Sequence, residues 1–265
     1  MENILETIVV AKKRRLFAQM KQYLLTDVAC FFANPQKSAF LASLRSSGPN
    51  IIAEIKLASP SRGRFISRQD VPYFLSSYEE GGAKAISVVT EEDYFQGDSG
   101  LLREVVQKTR LPVLRKDFIL EETQLYETKE VGAHAVLLIA RIVSKERLKH
   151  FVELAELLGL TPVVEIHDER DLEKALFASA RVVGINNRDL STFRVSLETT
   201  LRLLPFIPEG IVVIAESGIT TRKDIEVLFE AGVRNFLIGG SLLSSRDPIQ
   251  KLRELQGEEE VIARH

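Results

Sequence analysis

From Ile51 onward the chain alternates two textures. A short β-branched, apolar run comes first. A polar loop follows, then a segment with apolar residues at i, i+3, i+4 and i+7. The apolar runs are IIAEIK (51–56), AISVVT (85–90), PVLRKD (112–117), AVLLIA (135–140), PVVEIH (162–167), VVGIN (182–186), IVVIAE (211–216) and NFLIGG (235–240). Between them VPYFLSSYEEGG, TQLYETKEVGA, SKERLKHFVELAELLGL, ERDLEKALF and TRKDIEVLFEAGV read as helices. Gly81-Gly82, Gly132, Gly159 and Gly232 stand where such helices stop. Continuous apolar strands alternating with helices predict a parallel sheet covered on its faces. Eight such units predict an α/β fold of the (β/α)8 TIM-barrel class. A doubly wound open sheet is the rival, but it usually has fewer strands, and no G-x-G-x-x-G follows the first run.

Residues 1–50 do not fit the repeat. ETIVVAKKRRLFAQMKQYLL and PQKSAFLASLR predict helices joined by a turn near Asn34-Pro35. This N-terminal helical extension either caps the barrel floor or lies beside its mouth. The basic cluster at 12–15 reads as a solvated helix face, and QGEEEVIARH at the end reads as a frayed polar tail. The expectation is one barrel domain over residues 1–265, with 1–50 as its extension.

Composition narrows the function classes. Hydrophobic residues make up 45% and charged residues 27% of 265, enough apolar material for a large core. A net charge of -2 supplies no field for nucleic acid. The single cysteine, Cys30, excludes an intramolecular disulfide framework. No apolar stretch approaches the roughly 18 residues of a membrane span. The N-terminal apolar run contains Glu6 and precedes its basic cluster, the reverse of a signal peptide. The cytoplasm is therefore the expected location. His134, His150 and His265 show no ligand spacing, so no metal is expected.

In this architecture chemistry sits at the C-terminal ends of the strands. Glu54 and Lys56 lie two apart, so they share a face with Ile52, the face that would point into the barrel. Lys116-Asp117 ends strand three and Glu165 ends strand five. Asn186-Asn187-Arg188 ends strand six, and Glu216-Ser217-Gly218 ends strand seven. Burying charges costs several kcal/mol per ion, so charges recurring at one end of several strands favour function over an internal ion pair. Glu165 alone is ambiguous, since a strand-end carboxylate can also cap the next helix. Asp168 reads as a helix N-cap and His167 as a solvated loop residue. Gly218, Gly239 and Gly240 follow strands seven and eight, where barrels often bind phosphate through backbone N–H groups.

EIKLASPSRG (54–63) and LPVLRKDFI (111–119), followed in order by PVVEIHDE, VGINNRDL, IAESGI and FLIGGSLL, resemble the motifs of the indole-3-glycerol phosphate synthase family. The resemblance covers nearly the whole chain. It implies a lyase of tryptophan biosynthesis acting on a small molecule, 1-(2-carboxyphenylamino)-1-deoxyribulose 5-phosphate, without a cofactor. It implies no nucleic-acid or membrane partner, and a monomer or weak homodimer. By motif, Lys116 resembles the general acid that protonates the substrate ketone, and Glu165 the acid/base of the later dehydration. Lys56 resembles the cation that holds the substrate's carboxylate or phosphate, and is also a candidate proton donor. Glu54 and Asn186 resemble polar partners that orient these groups, and Glu216 and Ser217 strand-seven substrate contacts. Ser59, Gly218, Gly239 and Gly240 would surround the phosphate. Phe95 and Phe118 would flank the anthranilate ring, with Arg188 supporting the mouth. Leu57 and Gly240 depart from relatives without removing a catalytic group. Two lysines in one mouth are expected to repel, lowering the pKa of at least one. Another sugar-phosphate barrel, such as phosphoribosylanthranilate isomerase, or a non-catalytic sugar-phosphate binder are the alternatives.

Overall fold

The computed structural model describes residues 4–19, 39–189 and 194–258. Strands β1 (Asn50–Ile55), β2 (Ala85–Val89), β3 (Val113–Lys116), β4 (Ala135–Ile139), β5 (Thr161–Ile166), β6 (Val182–Asn186), β7 (Val212–Glu216) and β8 (Asn235–Ile238) form one closed barrel. Every pairing is parallel, and β1 closes on β8 with Ile52 beside Leu237. The strands read from the sequence are these, with ends moved by one or two residues. An α/β barrel of the TIM type is therefore the fold.

Alternation along each strand sorts its side chains between two cores. Ile52, Leu114, Leu137, Val163, Ile214 and Leu237 pack together inside the barrel. Ile51, Ala53, Ile55, Ile86 and Val88 face outward, against Phe74, Leu101, Ile225 and Leu252 of the helical layer. The layer comprises α3 (Val71–Glu80), α4 (Ser99–Lys108), α5 (Glu122–Val131), α6 (Lys145–Leu157), α7 (Glu169–Phe177), α8 (Glu198–Leu203), α9 (Arg222–Glu230) and α11 (Pro248–Gln256), with the short α10 (Gly240–Leu243) after β8. Asp98, Ser144, Asp168, Thr221 and Asp247 each accept the N–H three residues on, starting α4, α6, α7, α9 and α11. Each such cap contributes about 1 kcal/mol.

The N-terminal extension takes both of the placements left open. In α2 (Ala39–Ser43), Phe40 is fully buried among Ala85, Ala135 and Val182, which begin their strands, so this helix closes the floor. In α1 (Ile4–Gln19), Ile4, Leu5 and Ile8 reach the cavity at the opposite end. The basic cluster is not wholly solvated. Lys12 is 2% exposed, with Nζ 2.8 Å from Glu92 and 3.0 Å from Asp117. Two acidic partners at the end of β3 and in the β2 loop compensate its desolvation and tie α1 to the mouth. The expected tail also begins later. Gln256 ends α11 and donates to the Gly81 carbonyl at 2.7 Å. Cys30, Asn34-Pro35 and His265 lie outside the described residues. No described helix is long and apolar enough to cross a membrane.

Candidate active site

The barrel's inward row ends, strand by strand, in Glu54 and Lys56, Lys116, Glu165, Asn186, Glu216 and Gly239, because each lies an even number of residues beyond an inward core position. These side chains open onto one cavity of about 570 Å³ at the C-terminal face. Ser59, Phe95, Phe118, Arg188, Ser217, Gly218 and Gly240 also line it, so every site residue expected from the sequence meets there. Leu57 does not. It is buried in the outer core, a sufficient reason for an apolar residue at that position.

Two backbone positions make room for the carboxylates. A side chain at Gly184 would overlap the Glu216 carboxylate, and one at Gly239 would overlap that of Glu54. Glycine at β6 and after β8 therefore lets buried acids stand close to the neighbouring strand. After β7, Ser217 and Gly218 have φ of 64° and 83°. Ser217 is held in this uncommon conformation in part by Asn187, whose Nδ2 donates to its carbonyl at 3.1 Å.

The charges are arranged as alternating partners. Lys56 pairs with Glu54. Lys116 Nζ lies 3.0 Å from Glu165 Oε2 and 2.7 Å from Glu216 Oε2. For Lys116 the expected lowering is overturned. Burial opposes the Lys116 charge, but Glu165, Glu216 and Glu54 outweigh it and hold its pKa well above the ordinary value. Two carboxylates share this one ammonium, and their pKa values separate. Burial pulls Glu165 upward, but Lys116 and His167 outweigh it and leave the carboxyl below its usual range. Burial also raises Glu216, and repulsion from Glu165 and Glu54 adds to it against the pull of Lys116, pushing it up to about 7. Near neutral pH the cavity thus holds an ionised carboxylate, a carboxyl that retains a proton for part of the time, and an ammonium between them.

Part of the remaining wall is apolar. Ile4, Leu5 and Ile8 of α1 complete it with Leu137, Ile139 and Phe118. Phe65 stands at the mouth with its ring centroid 5.2 Å from Lys56 Nζ. Sequence reading missed Phe65 and the α1 residues, because neither a loop phenylalanine nor a helix outside the repeat carries a periodic signal toward the barrel. It also misplaced His167, which is buried and not solvated. Asp168 does cap α7, and Glu165 caps nothing and faces the cavity.

A solved structure of 3-hexulose-6-phosphate synthase from Salmonella typhimurium superposes with a TM-score of 0.66 at 13% identity, over 82% of this chain and 100% of that one. It shares the fold. Sequence comparison reaches further. An indole-3-glycerol phosphate synthase of Acetivibrio thermocellus is 41% identical over 96% of this chain and 99% of its own length. That of Carboxydothermus hydrogenoformans is 41% identical over 94% and 95%. That of Desulfosudis oleivorans is 46% identical over 83% and 85%. The family model for indole-3-glycerol phosphate synthase matches residues 5–255, and the chain belongs to that family.

Proposed function

We propose that this chain is a carbon–carbon lyase that converts 1-(2-carboxyphenylamino)-1-deoxyribulose 5-phosphate to indole-3-glycerol phosphate, carbon dioxide and water. One observation carries the residue-level reading: the Lys116 ammonium bridges two buried carboxyls whose pKa values are driven to opposite sides of the ordinary value. The aromatic carbon bearing the carboxylate attacks the ketone, and negative charge develops on the ketone oxygen. The Lys116 ammonium stays charged through neutral pH and donates to this much stronger base. Loss of carbon dioxide returns the bonding electrons to the ring. Dehydration then removes a proton from C1 and expels the new hydroxyl. Glu165, ionised, accepts the proton. Glu216, retaining one near neutral pH, supplies a proton to the departing hydroxyl.

The other lining residues fit the rest of the substrate. The aromatic ring lies against Phe118 and the apolar wall, with Phe95 at its edge. Lys56, oriented by Glu54, meets a substrate anion, and Asn186, Ser217 and Arg188 meet hydroxyls and the mouth. The phosphate sits among Ser59 and the backbone N–H groups around Gly218, Gly239 and Gly240. The overall reading is tested by turnover of this substrate without added cofactor, followed by indole fluorescence. A protein that binds the substrate and makes no indole product would refute it.

The phosphate assignment has its own test. A side chain at Gly240 meets open space, with only the edge of Phe65 at 4.0 Å. Gly240→Asp therefore places a negative charge beside the phosphate without moving the backbone. The expected result is a KM raised by about tenfold or more, with kcat little changed. Gly239→Ala should behave differently and lower kcat, because it displaces Glu54. A KM for Gly240→Asp within twofold or so of the parent would remove the phosphate from this loop.

A further inference from the structure

His167 is a buried titratable residue at the active end that the chemistry above does not use. Its side chain is 4% exposed. Nε2 lies 3.4 Å from Glu165 Oε1, and Nδ1 lies 3.4 Å from Asp171 Oδ2. Neither nitrogen finds full hydrogen-bond geometry, so the ring is confined between two carboxylates without being spent on another partner. A buried polar ring left in that state costs free energy, which a purely structural histidine would relieve by bonding to the backbone.

Both neighbours are fixed from behind. Asp171 accepts from Arg141 Nε at 3.1 Å and from the His167 N–H at 3.1 Å, and its own N–H is capped by Asp168 Oδ1 at 2.9 Å. Arg141 also pairs with Asp168 at 2.8 Å. On the cavity side Lys116 holds Glu165 Oε2 at 3.0 Å, and Asn186 hydrogen-bonds the same carboxylate. A continuous row therefore runs from half-buried Arg141 through Asp171, His167 and Glu165 to Lys116. It has the logic of a base oriented by a third group.

We propose that His167 is a positioning residue for Glu165, holding Oε1 as Lys116 holds Oε2, with Asp171 as the strut behind the ring. This rests on the reading of Glu165 as the proton acceptor. The ring favours the ionised carboxylate, so its removal raises the pKa of Glu165. The pH dependence of turnover follows with a definite sign. Glu165 must be ionised to accept a proton, so the acid limb of kcat moves to higher pH when His167 is lost.

The test uses His167→Asn, whose amide keeps a group near Nδ1 and leaves Glu165 Oε1 unmet, and His167→Gln, which keeps a donor near Nε2. We expect the acid limb of kcat, measured from about pH 4 to 9, to move to higher pH in both variants. The larger rise, about one pH unit, should come from Asn, with KM within twofold or so. If the Asn variant does not fold, the Gln variant decides. A merely structural role predicts lower thermal stability with the parent acid limb, and that result in a folded variant overturns the proposal. Glu165→Gln is measured in parallel. Full activity in that variant would defeat the acceptor reading itself. An inactive Glu165→Gln beside an unshifted His167 variant would defeat only the role given to His167.

Discussion

Lys116→Ala is expected to lower kcat by about 100-fold or more, the usual scale for loss of a general acid. The effect has two sources. The ketone oxygen loses its proton donor. In addition, Glu54, Glu165 and Glu216, all buried, lose the cation that reconciles them. Breaking a buried pair by removing one partner commonly costs about 3–5 kcal/mol, because the remaining charge is stranded. Here the protein has an outlet, since Glu216 already lies close to half protonation at neutral pH and can take up a proton fully. The variant should therefore fold, with Glu165 and Glu216 titrating higher than in the parent. KM should change by only a few-fold, because Lys56 and Arg62 still line the cavity around an anionic substrate. Steady-state kinetics on a preparation verified by circular dichroism checks this. A kcat within about threefold of the parent would show that Lys116 is not the acid.

Glu165→Gln is expected to separate the two chemical stages. The amide fills the same volume and still offers an oxygen to Lys116, but it cannot accept a proton. Ring closure and decarboxylation should proceed, whereas dehydration should slow by roughly 100-fold or more. Steady-state kcat falls in either case and does not discriminate. Single-turnover mixing does, by following carbon dioxide release and indole fluorescence separately. Prompt carbon dioxide with delayed indole is the expected pattern. Simultaneous loss of both signals, with substrate still bound, would place Glu165 in or before ring closure. The pKa ordering favours the first pattern, because a carboxyl held below its usual range is ready as a base and unsuited to donate the first proton.

Much of this site was legible in the amino-acid order because strands impose a period of two. Once Ile52 faces inward, Glu54 and Lys56 follow. Leu114 leads in the same way to Lys116, Val163 to Glu165 and Ile214 to Glu216. Charge at the end of an apolar run is costly enough to mark function without any coordinates. Glycine after β7 and β8 was equally visible, although its reasons were not. Gly239 is small because Glu54 needs the space, and Gly240 has space to spare.

What the sequence determined by itself was local and periodic: the number of strands, their inward faces, the helix-stop glycines and the Asp168 cap, and the set of residues gathered at one end. The tertiary structure alone decided who partners whom. Lys116 meets Glu216 from 100 residues away, and Lys12 reaches Asp117 across 105. Those distances in sequence hide the outcome, because Coulomb energy depends on separation in space and on burial. Counting lysines in the mouth therefore predicted repulsion, whereas the folded arrangement sets each ammonium against carboxylates and leaves Glu216 titrating near neutral pH. His167 was misread although its partners are near in sequence, because burial is set by the fold. Beside Asp168 it resembles a loop residue, and only the return of α7, which brings Asp171 to within 3.4 Å, buries its ring behind Glu165.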